Sequence, residues 1–185
     1  MIIIILLAVV VPLLLVGLFL MAAYNGLVGF RQAVKNAWAQ IDVQLTRRHD
    51  LIPNIVNTVK GYAAHEKGTL EAVMNARAKA TSVTLPADKI KAEGELSSAL
   101  SRLLAVSEAY PDLKANQNFL ALQEELTSTE NRVAYARQFY NDSVTKLNTA
   151  IQTFPTVIIA GMFGFKEEPF FEAPAEDKKV PNVQF

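Results

Sequence analysis

The chain has no cysteine, which excludes disulfide staples, thiol nucleophiles and cysteine-ligated zinc. Histidine is almost absent too, at positions 49 and 65 only. No charged side chain occurs among the first 30 residues. Elsewhere eighteen basic and eighteen acidic residues cancel, and no basic cluster is interleaved with aromatics, so nucleic acid is not an expected partner. Glycine and proline number only eight each, and the prolines largely avoid the longest periodic stretches, so the composition reads as helical. No phosphate loop, nucleophile elbow, Rossmann turn or catalytic carboxylate dyad occurs. On this reading the chain has no catalytic residue, no cofactor-binding residue, no metal ligand and no cofactor.

What is there begins at the N-terminus. Ile2 to Ala23 is almost purely apolar, broken only by Pro12 and Gly17. As a helix it measures ~33 Å, enough to cross the hydrocarbon core of a bilayer. A cleaved signal peptide needs a basic leading region and a shorter apolar core. Met1 runs straight into four isoleucines, so a retained span is expected, with the bilayer as a partner. Arg31 and Lys35 follow it and no basic residue precedes it. The positive-inside rule then puts the N-terminus outside and the following domain in the cytoplasm.

Past the span, Val34, Trp38, Ile41, Leu45, Ile52, Ile55, Val59 and Tyr62 recur at alternating spacings of three and four, with Arg48 filling one position in register. This is a helix seam. Its register survives Pro53, so one continuous helix is expected, kinked there, with Asp50 as the cap of a fresh helix in the alternative reading. Trp38 lies too far from Ala23 for an interfacial belt and reads as a core anchor. Leu70, Val73, Arg77 and Ala80 mark a second helix, and Thr81 to Ala92 reads as a polar connection. Leu96, Ala99, Leu100, Leu103 and Leu104 mark a third, stopped near Tyr110–Pro111. From about Ala115, a last seam through Phe119, Leu126, Val133, Tyr140 and Leu147 runs to Ile151 and ends before Pro155. The fold class is therefore all-α: an N-terminal transmembrane helix (1–24), then an elongated antiparallel four-helix bundle (25–153). Residues 154–185 complete the chain with an apolar run, Phe154 to Phe165, and a charged tail that reads as mostly unstructured. No internal repeat appears.

Several clusters invite chemistry. His49, Asp50, His65 and Glu66 suggest a metal-dependent hydrolase, but the two histidines stand ~24 Å apart along a straight helix and no HExxH spacing is present. Solvated surface is the expected fate of both. Arg47, Arg48 and Asp50 read as a structural charge cluster, with Asp50 as a helix cap and Arg48 snorkelling at the seam. Glu130, Arg132 and Arg137 read as interhelix ion pairs. Small residues Ala22, Gly26, Gly29 and Ala33 recur at the membrane exit and, with Phe154, Phe163 and Phe165 of the apolar run, are the expected assembly surface of a homo-oligomer.

The segment YNGLVGFRQAVKNAWAQIDVQLTRRHDLIPNIVNTVKGYAAHE from Tyr24 to Glu66 resembles the bacterial LemA family. So do EAYPDLKANQNFLALQEELTSTENRVAYARQFYN from Glu108 to Asn141, the FP at Phe154–Pro155 and the GF at Gly164–Phe165. The block IDVQLTRRHDLIPN is the most specific part. The resemblance implies an α-helical, single-pass protein of the bacterial inner membrane with its N-terminus outward. It supplies no established activity and no catalytic residue. The function expected is a membrane-anchored, self-associating scaffold or adaptor with unidentified envelope-associated partners. A membrane-stress sensor bending at Pro12 and Pro53 is the alternative.

Overall fold

The computed structural model describes residues 1–171. These residues are helical and contain no strand. The elements are α1 (Ile2–Tyr62), α2 (Lys67–Ser82), α3 (Pro86–Ser107), the single turn α4 (Pro111–Lys114), α5 (Gln117–Gln152) and α6 (Thr156–Met162). The all-α expectation and the long apolar N-terminal helix both hold. By contacts the described residues divide into two compact units: residues 1–39 with 138–170, and residues 40–137 with Phe171.

α1 continues through Pro53 as one element, so Asp50 lies inside the helix and caps nothing. The first part of α1 is long and apolar enough to cross a membrane, and none of that stretch is buried by the rest of the chain. α3 begins at Pro86, with Leu85 extended before it. Proline suits a first helical position because the missing N–H has no partner there in any case. The polar connection read over Thr81 to Ala92 is therefore corrected: it is only three residues long, and Pro86 starts a helix rather than interrupting a loop. α5 starts after Asn116, whose side-chain Oδ1 accepts from the Phe119 N–H at 3.0 Å, a standard N-cap. The Asn116 Nδ2 also donates to the Tyr62 hydroxyl at 2.8 Å.

In the unit containing residues 40–137, Ile52, Ile55 and Val59 of α1, Leu70 and Val73 of α2, Leu96, Leu100 and Leu103 of α3, and Phe119 and Leu126 of α5 share one core. Leu113 of α4 closes it. Paired contacts give the directions. Arg47 pairs with Glu125 and Tyr62 with Asn116, so α1 and α5 run antiparallel here. Asp42 pairs with Lys89 and Arg48 with Glu93, so α1 and α3 run parallel.

In the unit containing residues 1–39 and 138–170, Leu27, Ile159, Ala160 and Phe165 form a core, flanked by Ala23, Tyr24, Val28, Ala150 and Ile151. Trp38 packs edge-on against Tyr140, ring centroids 5.5 Å apart. α6 ends in a Schellman motif. The Phe165 N–H donates to the Ala160 carbonyl at 3.0 Å and the Gly164 N–H to Gly161 at 3.4 Å, with Gly164 at φ +67°. Glycine takes that left-handed conformation at no steric cost. The turn carries Phe165 back into the core, and this is the physical content of the GF pair.

The beginning of the tail departs from expectation. Asn148 clamps Glu168 through both amide atoms, accepting from its N–H at 3.0 Å and donating to its carbonyl at 2.9 Å. Tyr140 donates to the Pro169 carbonyl at 2.9 Å. Tyr140 and Asn148 lie about two helical turns apart on α5, so residues 168 and 169 are tied along it rather than free. The expectation for residues 172–185 lies outside the described residues.

Candidate functional site

Arg48 occupies a seam position otherwise held by isoleucine, leucine and valine. The seam therefore drives a guanidinium into the core of its unit, where Arg48 and Glu93 are both 0% exposed. A buried charge must be paired and hydrogen-bonded to persist. Arg48 Nη1 donates to Glu93 Oε2 at 3.1 Å and Nη2 to Ser97 Oγ at 2.7 Å. Its Nε lies 2.8 Å from Glu130 Oε1. That approach is off the N–H direction and makes an ion contact rather than an aligned hydrogen bond. The other Glu93 oxygen, Oε1, lies 2.7 Å from His49 Nε2. One carboxylate thus binds two neighbouring side chains of α1, and the group joins α1, α3 and α5.

Two expectations are corrected here. Arg48 does not snorkel, because seam packing on every side leaves its head no route to water. His49 is not solvated, because it lies one residue beyond Arg48 and faces the same carboxylate. Of the three residues read as interhelix ion pairs, Glu130 makes one, with Arg48. Arg137 stacks over the Phe171 ring, 4.4 Å from its centroid, and Arg132 is exposed.

Pro53 creates a second polar problem in the same unit. Proline has no N–H, so the carbonyl four residues earlier, that of buried His49, loses its helical donor. Arg77 of α2 supplies one: its Nε donates to the His49 carbonyl at 2.7 Å. The proline thus creates an acceptor, and a neighbouring helix fills it. On the surface of this unit Lys79 hydrogen-bonds Glu95 between α2 and α3. That bond holds the Glu95 carboxyl below its ordinary pKa, against a small opposing effect of burial.

The histidine–carboxylate constellation does not assemble as a hydrolase site. His49 points into the buried network, Asp50 is exposed, and His65 is exposed on the turn between α1 and α2. No group of three potential metal-ligating side chains occurs among the described residues.

Just past the apolar stretch of α1, the expected assembly residues separate. Ala22, Gly26 and Gly29 are exposed and Ala33 is half-buried. A Cβ added at Gly26 or Gly29 would meet nothing within 4 Å, so that stripe is open. At 100° per residue it lies opposite Tyr24, Leu27 and Arg31 on α1. Those three face the C-terminal run: Tyr24 stacks on Phe163 (4.7 Å) and Phe165 (6.0 Å), and Arg31 lies 4.9 Å from the Phe165 centroid. Phe165 is buried in its own chain, whereas Phe154 and Phe163 face outward. In the same unit Tyr140 is buried, and its hydroxyl pKa is pushed up to about 12 by that burial, with Glu168 adding to it.

Glu93 is the residue that sequence reasoning missed. Its signal was present, since it lies three residues before Leu96 and seven before Leu100, on the apolar face of α3. A carboxylate on one seam and a guanidinium on another are complementary.

The model of the LemA family matches residues 37–185. Magnetosome protein MamQ of Magnetospirillum gryphiswaldense is 25% identical over 192 residues, covering 89% of this chain and 71% of that protein. Magnetosome protein MamQ 2 of Paramagnetospirillum magneticum is 33% identical over 94 residues, half of this chain and 35% of that protein. Protein LemA of Metamycoplasma hominis is 25% identical, covering 80% of this chain and 68% of that protein.

Proposed function

The chain belongs to the LemA family, and from that premise we propose that it is a membrane-anchored, non-catalytic helical scaffold that self-associates at the bacterial inner membrane. The observation that carries the reading is α1 itself. An uncharged stretch whose leucines, valines and phenylalanine between Leu6 and Met21 are covered by no other part of the chain continues without a break into the rest of α1. So large an exposed apolar surface calls for an apolar solvent, and its length suits a bilayer.

Arg31 and Lys35, the first charges after the span, support an outward N-terminus and helical units in the cytoplasm. The Arg48–Glu93–His49 group supports a structural role, since its charges are spent on one another across three helices. Self-association uses the open face Ala22, Gly26 and Gly29, continuing to Ala33, where small side chains permit close helix approach. Tethering in a plane raises the effective concentration of such weak contacts and of contacts to envelope partners. A sensor that bends at Pro53 is disfavoured by Arg77, which ties the carbonyl that the proline frees.

The test is the mass of the detergent-solubilised full chain. Gly26→Leu with Gly29→Leu adds bulk where nothing stands, so the fold tolerates both. The wild-type chain should be oligomeric and the double variant should fall toward monomer mass in light scattering. A monomeric wild type, or an unchanged mass in the variant, refutes self-association through this face.

A further inference from the structure

The run Phe154 to Phe165 uses its two faces differently. Inward, Ile159, Ala160 and Phe165 pack on Leu27. Outward, Phe154, Ile158, Met162 and Phe163 are 76%, 55%, 73% and 58% exposed. Between Lys146 and Lys166 no charged side chain occurs. An exposed patch of this kind on a chain with an apolar anchor needs an occupant.

Its place on α1 identifies the occupant. The Phe163 ring lies 4.7 Å from that of Tyr24, the residue immediately after the apolar stretch Ile2 to Ala23. The headgroup layer at each side of a bilayer is roughly 5–8 Å thick. A bilayer whose hydrocarbon ends near Ala23 therefore reaches Phe163. Aromatic rings beside a span are characteristic of that layer. Just beyond, Arg31 lies against Phe165 and Lys166 is exposed, the sign of charge that anionic headgroups attract. A second copy docked on Ala22, Gly26 and Gly29 would meet the opposite side of α1 and leave this patch uncovered.

We propose that the outward face of α6 and its flanks, Phe154, Ile158, Met162 and Phe163, is seated in the headgroup–acyl boundary of the bilayer that α1 crosses. This makes a second, shallow anchor, in the manner of an interfacial amphipathic segment. The inference rests on the reading of α1 as a span and adds a lipid contact to it. The seat would fix the azimuth of α1 about its own axis, keeping the small-residue face in the plane where a second copy can reach it.

The absence of cysteine makes the test clean. The full chain carrying Met162→Cys or Leu14→Cys is labelled with an environment-sensitive NBD dye. It is then reconstituted in phosphatidylcholine–phosphatidylglycerol vesicles with and without lipid bearing a shallow doxyl quencher. The expected result is blue-shifted emission at both positions, with the position-162 dye losing more of its intensity to the shallow quencher than the dye at position 14, as a group ~5–10 Å into the boundary should. Leu14 in lipid with a water-like dye at position 162 would overturn the seat and leave the span intact. A blue-shifted dye at position 162 that lipid does not quench would mean that protein covers the patch, and would also overturn it. A dye at Leu14 that reports water would refute the span itself, and the seat with it.

Discussion

Removing Arg77 should cost more stability while Pro53 is present than once it is replaced. Arg77→Met keeps most of the aliphatic volume and deletes the donor to the His49 carbonyl, which then has neither a helical nor a side-chain partner. A hydrogen bond from a charged donor to a buried acceptor is worth ~1.5–3 kcal/mol, so the single variant should lose about that much. Pro53→Ala restores an N–H at the position where the helix would supply it, and removes an interior proline that costs up to ~3 kcal/mol. In that background Arg77→Met should cost less than ~1 kcal/mol, a coupling of roughly 1–2 kcal/mol. The assay is urea unfolding of the four full-length proteins in mild detergent, followed by far-ultraviolet circular dichroism. Effects that add to within ~0.5 kcal/mol would show that the two residues act independently and would refute the repair.

Three further outcomes follow from the same contacts. Glu93→Leu leaves the buried Arg48 guanidinium with only Ser97 and the half-exposed Glu130 and should cost about 3 kcal/mol, whereas Arg48→Met with Glu93→Leu should recover most of it; urea midpoints of the pair decide. Gly164→Ala places a Cβ at φ +67° and should cost about 1–2 kcal/mol, with a rise in hydrogen exchange at Phe165 if the turn loosens. Tyr140 has a folded pKa of about 12 against an ordinary value near 10. The folded state therefore holds its proton more tightly. That contribution is complete below pH ~10 and is lost as the pH rises toward 12, at up to ~1.4 kcal/mol per pH unit. Tyr140→Phe should flatten that part of the alkaline unfolding profile, and an unchanged slope would refute the assignment.

Much of the helical scheme was legible in the sequence because period and burial coincide. Apart from half-buried Trp38, the α1 seam from Val34 through Val59 is buried, as is the α5 seam through Phe119, Leu126, Val133, Tyr140 and Leu147. Pro53 did not mislead, since the apolar register continued across it. Pro86 did, because a proline beside polar residues reads the same whether it starts a helix or sits in a loop, and tertiary packing decides. That error hid Glu93, and with it the fate of Arg48 and His49: a charge in a seam looks like an exception until its partner is placed. The first residues of the tail, Glu168 and Pro169, were misread for a related reason. Composition has no access to Asn148, whose amide offers Glu168 both a donor and an acceptor, or to Tyr140 beyond it. The two faces of the run Phe154 to Phe165 were equally closed to sequence, since every residue on both is apolar or small.

The most direct test of the whole account is sided labelling of α1. Two single-cysteine chains are needed, one with a cysteine inserted after Met1 and one with Tyr135→Cys at an exposed position. Each is treated in intact cells, and again after lysis, with a membrane-impermeant maleimide. A membrane-anchored protein with its N-terminus outward should label at the inserted cysteine in intact cells, and at position 135 only after lysis. Equal access at both sites would mean that α1 does not cross the membrane, and the reverse pattern would put the helical units on the outer side.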